Sequence, residues 1–438
     1  MSNILVLGAG RSSSALIEYL LEQSAGLNCT VTVADQNPES ARQKTGNHPA
    51  ARPVGIALED AAAVEQLINE ASVVISLLPP TLHYKVALSC LKYGRHLLTA
   101  SYVNEEIRSL DLQAKEKGIL ILMENGLDPG IDHLSAMKEI DSMKEKGGVL
   151  KSFRSYTGGL VAPESDNNPW HYKFTWNPKN VILAGQGNVK YLENNKFKYI
   201  PYQQLFARAE EIEIEGEGIF EGYANRDSLS YLKLYNLNDV STFIRGTLRK
   251  SPYCRGWNSL VQLGMTADSF EVDNPGNLTW SQFADSFLPE IPGKNIEEKF
   301  CLALGLAQDA EEFKMIRWTG LFSDEVCPVK KGTPADYLLS LFEKKFVFAQ
   351  GDKDMIVMQH QMQFEIKKQS ENINATLVVK GDEKHSAMAK TVGLPLGITA
   401  KLILQNKIKL TGVQIPVMKE LYEPLLKELE EKGIRFKN

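Results

Sequence analysis

The sequence predicts an α/β protein: a doubly wound parallel sheet, then an α+β mixed-sheet domain with a small helical insertion. Three observations carry this. An apolar strand runs straight into Gly8-Ala-Gly10 and a helical pattern. Strand and helix patterns then alternate up to about residue 130, as in a doubly wound sheet. From about residue 148 the alternation gives way to longer strands with few helices between them.

The elements follow in order. Ile4 to Leu7 is wholly apolar, as expected of a central parallel strand. Gly8 permits the tight turn out of it, and Gly10 leaves room for a pyrophosphate. Ser12 to Leu21 has helical spacing, so its free N–H groups, with Arg11, Ser12 and Ser13 at its start, face that phosphate. Ser13 stands at the third glycine position of the Gly-x-Gly-x-x-Gly fingerprint, where a small residue is needed. The second strand, Val31 to Ala34, ends at Asp35. An acidic side chain there accepts the adenosine ribose hydroxyls and repels a 2′-phosphate, so this Rossmann domain is expected to favour NAD over NADP. Further strands are read at 53–57, 72–78, 95–100 and 119–123, with helices at Ala61–Asn69, Tyr84–Leu91 and Glu105–Lys115.

Ligands of such sheets gather beyond the carboxyl ends of the strands. That selects Leu78-Pro-Pro, Ala100-Ser101-Tyr102 and Glu124 to Gly130. Ser101 and Tyr102 can both donate to a carboxylate; the plainer reading is a helix cap and rim packing. Asp128 can cap the helix that follows, with Pro129 in its first turn, or accept a proton from substrate. His133 is read as a core histidine, since no metal-ligand spacing surrounds it.

In the second half, Val149–Tyr156, Met355–Ile366 and Ala375–Val379 read as strands. Ser155 to Trp170 reads as a long polar loop, the kind that is usually functional or mobile. Trp170, Tyr172, Phe174 and Trp176 form either a satellite core or part of a site. Helical patterns at Trp280–Phe287, Ile296–Leu306 and Ala310–Thr319 are broken at Asn274-Pro275-Gly276 and Pro292-Gly293. Ala387–Leu404 and Met418–Gly433 return to helix, the first broken at Leu394-Pro395-Leu396-Gly397. Arg226 and Arg249 each lie near small polar residues and can grip carboxylates. Composition alone makes them surface ion-pair residues.

The 438 residues and net charge of −5 suit two or three globular domains. They argue against a nucleic-acid or anionic-membrane surface. Five scattered cysteines (Cys29, Cys90, Cys254, Cys301, Cys327) show no ligand spacing, so neither a disulfide framework nor a metal site is expected. No signal-peptide pattern is read at the start, and a cytoplasmic location is expected.

Together the segments resemble the glutamate-forming saccharopine dehydrogenase (saccharopine reductase) family. The resemblance rests on Val6-Leu-Gly-Ala-Gly10, Thr99-Ala-Ser-Tyr102, Glu124-Asn-Gly-Leu-Asp-Pro-Gly-Ile-Asp-His133 and Ser155-Tyr-Thr-Gly-Gly-Leu160. It continues through Asn167 to Trp176, Asn225-Arg-Asp-Ser228, Gly246-Thr-Leu-Arg249 and Thr391 to Gly397, in family order.

The resemblance implies a dinucleotide domain at 1–130 completed by 388–438, and a substrate-binding and dimerisation domain at 131–264 and 323–387. It implies a helical insertion at 265–322. It implies reversible hydride transfer that interconverts saccharopine with L-glutamate and L-2-aminoadipate 6-semialdehyde through an imine, in lysine metabolism. The implied partners are a small-molecule substrate and a second copy of the chain, without metal, nucleic acid or membrane.

By matching motif, Ser101, Tyr102, Asp128, Arg226, Thr247, Leu248 and Arg249 become substrate contacts. Asp128 and Tyr102 are the candidate catalytic pair. Gly8, Gly10, Arg11, Ser12, Ser13, Asp35, Leu78, Ala100, Ser101 and Leu127 line the cofactor. Thr157 stands where many relatives carry Cys, and Lys250 where an aromatic is usual. Fungal relatives that use NADP lack an acidic residue at Asp35, which places this chain nearer an NAD-using branch. A sister imine-reducing enzyme, such as a carboxynorspermidine-type dehydrogenase, and a non-catalytic dinucleotide sensor are the alternatives.

Overall fold

The computed structural model describes all residues except Leu58, Asn238, Pro275 and Asn438. Pro275, part of an expected helix break, therefore lies outside the described residues. The chain divides into two compact units: residues 1–149 with 377–437, and residues 150–376.

The first unit holds β1 (Ser2–Leu7), β2 (Cys29–Asp35), β3 (Ala51–Gly55), β4 (Val73–Ser76), β5 (His96–Leu98) and β6 (Leu120–Leu122). Their order is β6-β5-β4-β1-β2-β3, with Gly412–Gln414 added beside β6. Every pairing is parallel. The order reverses between β1 and β4, and the crevice at that switch is where such sheets bind ligands. The central strands are dry because helices cover both faces.

Two expectations change here. The domain boundary moves from 130 to 149: Ile131–Glu145 packs on Lys419–Glu431, with Tyr422 Oη donating to Asp141 at 2.9 Å. Pro395 does not break its helix, which runs unbroken over Ala387–Leu404. Tight packing overrides propensity: a Cβ on Gly393 would meet Leu16 Cβ at 3.0 Å, and one on Gly397 would meet Tyr19 Cδ1 at 2.7 Å. That helix is long and apolar enough to span a bilayer, yet it is mostly buried against Ser14–Leu27.

The second unit is built on β7 (Val149–Val161), β8 (Val189–Glu193), β9 (Lys196–Ile200), β10 (Glu210–Ile214), β11 (Gly218–Ala224), β12 (Thr242–Lys250), β13 (Asp354–Ile366) and β14 (Gln369–Lys380). The order is β10-β11-β12-β7-β13-β14, and the β8–β9 hairpin attaches through β12. The sheet is mixed: β7 and β12 are parallel, β11 and β12 antiparallel. Residues 155–161 are strand, not loop. Gly158 sits there because a Cβ would come within 2.8 Å of Leu248 O on the neighbouring strand. Trp170, Tyr172 and Phe174 are core, packed with Trp257, Trp280 and Phe342 in one cluster. The helices Trp280–Asp285, Ile296–Leu304 and Glu311–Thr319 feed that same cluster, so the 265–322 segment shares its core with the sheet. All five cysteines are free and buried.

Candidate active site

The turn after β1 fits a dinucleotide. Gly8 has φ +100°, and a Cβ there would lie 3.3 Å from Leu77 O. A Cβ on Gly10 would meet nothing within 4 Å, so this turn faces open space where a pyrophosphate can approach the backbone. Arg11–Ser13 form one 3₁₀ turn before helix Ser14–Leu27, whose start has no side-chain cap. Arg11 is exposed, Ser12 half-buried and Ser13 buried. The Ser13 hydroxyl donates to Gly10 O at 2.8 Å. Lys44 reaches over from helix Pro38–Thr45 and donates to both Gly10 O and Ser13 Oγ. Asp35 Oδ2 accepts Ala9 N–H at 2.6 Å, and Oδ1 accepts Asn37 N–H at 2.8 Å.

At the ends of β5 and β6, two segments lock together. Glu124 N–H donates to Ser101 O and Asn125 N–H to Thr99 O. A Cβ on Gly126 would lie 2.7 Å from Ala100 Cβ, so glycine is required for that approach. Tyr102 Oη donates to Asp128 Oδ1 at 3.4 Å, which brings the two candidate catalytic residues together. Leu127 and Leu78 are buried, while Ala100, Ser101, Tyr102 and Asp128 are half-buried.

Asp128 does not cap the next helix. That helix starts at Ile131, and Asp132 Oδ1 accepts the Gly130 N–H at 2.6 Å instead. His133 is fully buried, with Nε2 2.8 Å from Glu124 Oε2, while Glu124 Oε1 accepts Val103 N–H.

Sequence reasoning missed one group here. His83, the first residue of helix His83–Tyr93, bonds to Ser76 Oγ and Ser101 Oγ. Burial pushes its imidazole down to about 4. Its only sequence signal was its position just after the Pro79-Pro80 turn at a strand end.

In the second unit Arg226 follows β11 with φ +45° and is exposed. Its carbonyl accepts Lys190 N–H, and Asp227 pairs with Lys190 Nζ at 2.8 Å, so β8 holds the segment. Thr247, Leu248 and Arg249 lie on β12, with Leu248 in the core.

Arg249 is not a surface residue; it is 3% exposed. Its guanidinium lies 5.2 Å from the Tyr172 ring, 5.3 Å from Tyr253 and 5.9 Å from Tyr223. Nη1 donates to Leu248 O, and Nε has no hydrogen-bond partner. Among the described residues no carboxylate pairs with it. Thr157 pairs with Thr247 in register, on the face that carries Arg249 two residues on. Its hydroxyl is likewise buried and unpartnered. A buried cation with no anion costs several kcal/mol, and a carboxylate is the kind of group that would offset it. Among the described residues no group of three or more His, Cys, Asp or Glu is placed to hold a metal.

Two family models cover nearly the whole chain. Residues 4–122 match the saccharopine dehydrogenase NADP binding domain, and residues 126–434 the saccharopine dehydrogenase C-terminal domain. The chain belongs to the saccharopine dehydrogenase family. A relative from Schizosaccharomyces pombe, saccharopine dehydrogenase [NADP(+), L-glutamate-forming], is 33% identical over 100% of this chain and 98% of its own. The Saccharomyces cerevisiae enzyme of that name is 34% identical, with 99% and 98% covered. The mitochondrial alpha-aminoadipic semialdehyde synthase of Mus musculus is 34% identical, but this chain spans 47% of it. The solved apo saccharopine dehydrogenase (L-Glu forming) from Saccharomyces cerevisiae superposes with a TM-score of 0.89 at 32% identity, covering 100% and 99% of the two chains.

Membership of the saccharopine dehydrogenase family corrects the cofactor. The fungal relatives are NADP(+) enzymes, and the N-terminal model is an NADP binding domain, against the expected preference for NAD. The physical reason lies in Asp35. Both of its oxygens are tied back to backbone N–H groups, and the Lys44 ammonium beside the turn offsets its charge. Its oxygens keep lone pairs, but its negative charge is partly offset at the turn.

Proposed function

We propose that this chain is an NADP-linked, L-glutamate-forming saccharopine dehydrogenase. It interconverts saccharopine with L-glutamate and L-2-aminoadipate 6-semialdehyde through an imine. The observation that carries this reading is the buried Arg249 guanidinium with no carboxylate partner. Saccharopine brings several carboxylates, and charge-assisted bonds to it return about 1.5–3 kcal/mol each. A substrate richer in amines would bring cation to cation, which speaks against the sister imine-reducing reading.

When bound, the dinucleotide takes or supplies the hydride. The residues of this chain do the rest. The Gly8–Ser13 turn and the bare start of helix Ser14–Leu27 offer N–H groups to phosphate. Tyr102 and Asp128, already hydrogen-bonded, orient the reacting nitrogen or hold its proton. Arg226 and Arg249 bind substrate carboxylates.

The test is direct. Purified protein is given saccharopine with NADP⁺ or NAD⁺, and reduced-cofactor absorbance and released glutamate are followed. Glutamate in step with reduced cofactor, faster with NADP⁺, is expected; no saccharopine-dependent reduction with either cofactor would overturn the reading.

A further inference from the structure

The ends of β4 and β5 are joined by one imidazole. His83 Nδ1 lies 3.1 Å from Ser76 Oγ, at the end of β4. Its Nε2 lies 2.8 Å from Ser101 Oγ and 3.2 Å from Thr99 Oγ1, just past β5. The ring, Ser76 and Thr99 are all buried, and Ser101 is half-buried at the rim.

Counting protons leaves two arrangements. A neutral imidazole has one N–H and one lone pair. Among the described residues, the Ser76 hydroxyl has His83 Nδ1 as its sole partner. With the proton on Nδ1, the Ser76 proton would be stranded in a dry interior, at a cost of about 1–3 kcal/mol. With the proton on Nε2, Ser76 donates to Nδ1 and Nε2–H points between Ser101 Oγ and Thr99 Oγ1; the proton left without an acceptor among the described residues is then that of Thr99, beside the half-buried Ser101. The shorter contact is to Ser101. Thr99 Oγ1 also accepts the Ser101 N–H, so the serine is held at both its backbone and its hydroxyl. Ser101 Oγ then has its inward lone pair filled, and its own proton is left for the open side.

We propose that His83 is a positioning residue: it donates from Nε2 to Ser101 Oγ and so presents the Ser101 hydroxyl as a hydrogen-bond donor to an acceptor oxygen bound beyond β5. The ligand class is a carboxylate or carboxamide oxygen, carried by substrate or by cofactor. This rests on the functional reading above, in which Ser101 touches one of them. It deepens that reading, because a serine beside an acceptor nitrogen would offer the opposite polarity.

Two measurements test it. The first is ¹⁵N NMR of the ligand-free, full-length protein labelled at its seven histidines, with His83→Gln assigning the signal. An Nε2–H tautomer at pH 7 is expected; an Nδ1–H tautomer or an imidazolium overturns the proposal. The second is kinetic. Ser101→Ala and His83→Leu should each weaken one ligand about tenfold, the worth of one hydrogen bond. That ligand is identified by comparing the KM for saccharopine with the NADPH dissociation constant from fluorescence, and kcat should change less. His83→Gln, which keeps a donor, should recover much of the loss. The double variant should be no worse than Ser101→Ala alone. Additive losses, or a Ser101→Ala variant that changes neither ligand, overturn the proposal. The functional reading fails separately, if the wild-type protein does not turn over saccharopine. The tautomer, recorded without ligand, tests His83 in either case.

Discussion

Two sites, one in each unit, treat their polar side chains in opposite ways. In the first, Glu124 is met by His133 and Val103 N–H, Asp35 by two backbone N–H groups, and His83 by three hydroxyls. In the second, the Arg249 guanidinium is caged by tyrosines and the Thr157 hydroxyl is unpartnered. On the proposed function, the difference is one of task. Groups that shape a turn are best satisfied within the fold, because every unmade bond lowers stability. A group that receives a charged ligand is best left unsatisfied, so that binding removes a strain the fold already carries.

Breaking a satisfied group should cost the fold most. His133→Leu removes the imidazole from the buried Glu124 carboxylate and should destabilise the first unit by about 3–5 kcal/mol, read as a lower denaturant midpoint. The same kind of edit in the second unit should do the reverse. Arg249→Met removes a buried, unpaired charge, so folding stability should hold or rise. Its KM for saccharopine should climb about a hundredfold, the loss of roughly 3 kcal/mol of charge-assisted bonding. If Arg249→Met instead lowers the melting temperature sharply, the tyrosine cage already stabilises the cation and the contrast fails.

A subtler edit sharpens the cofactor side. Asp35→Ala frees the Ala9 and Asn37 N–H groups and should weaken NADPH about tenfold while leaving the saccharopine KM unchanged. Tighter NADPH binding would mean that Asp35 acts as a repelling charge after all.

The smallest effect concerns acid. Burial raises the Asp382 carboxyl, but the Lys390 ammonium and the N–H groups of His385 and Lys384 outweigh it and bring it down to about 2. Its folded value is therefore below its unfolded one. It contributes stability that is present above about pH 4 and lost as pH falls through about 2. Asp382→Asn should flatten that part of the stability–pH curve slightly.

Much of the fold is legible in the sequence, for identifiable reasons. The first six strands of the first sheet can be read because most are short apolar runs bounded by glycine and helix signals, and each lies within two or three residues of its expected place; Gly412–Gln414, the seventh, carries no such signal. What could not be read depended on contacts distant in sequence. The Gly158-Gly159 pair looks like a loop until Leu248 is known to pass beside it. Pro395 looks like a break until Gly393 and Gly397 are seen to seat on Leu16 and Tyr19. Asp35 looks like an uncompensated charge until the Ala9 and Asn37 N–H groups and Lys44 are seen beside it. In the site, motif position picked out Tyr102, Asp128 and Arg249 as candidates. His83 has no such signature, because its partners come from two different strands.

The order in which the polymer is made gives the return of the tail a further meaning. Gly412–Gln414 finishes a sheet whose other strands are complete by residue 122, and Ala387–Leu404 covers a helix that begins at residue 14. A ribosome adding about 5–20 residues per second emits the whole of the intervening unit before either piece emerges. For tens of seconds, on that rate, the newborn amino-terminal sheet has a bare flank and an open edge. What is translated first is therefore sealed last, and that interval is when the nascent chain most needs a chaperone.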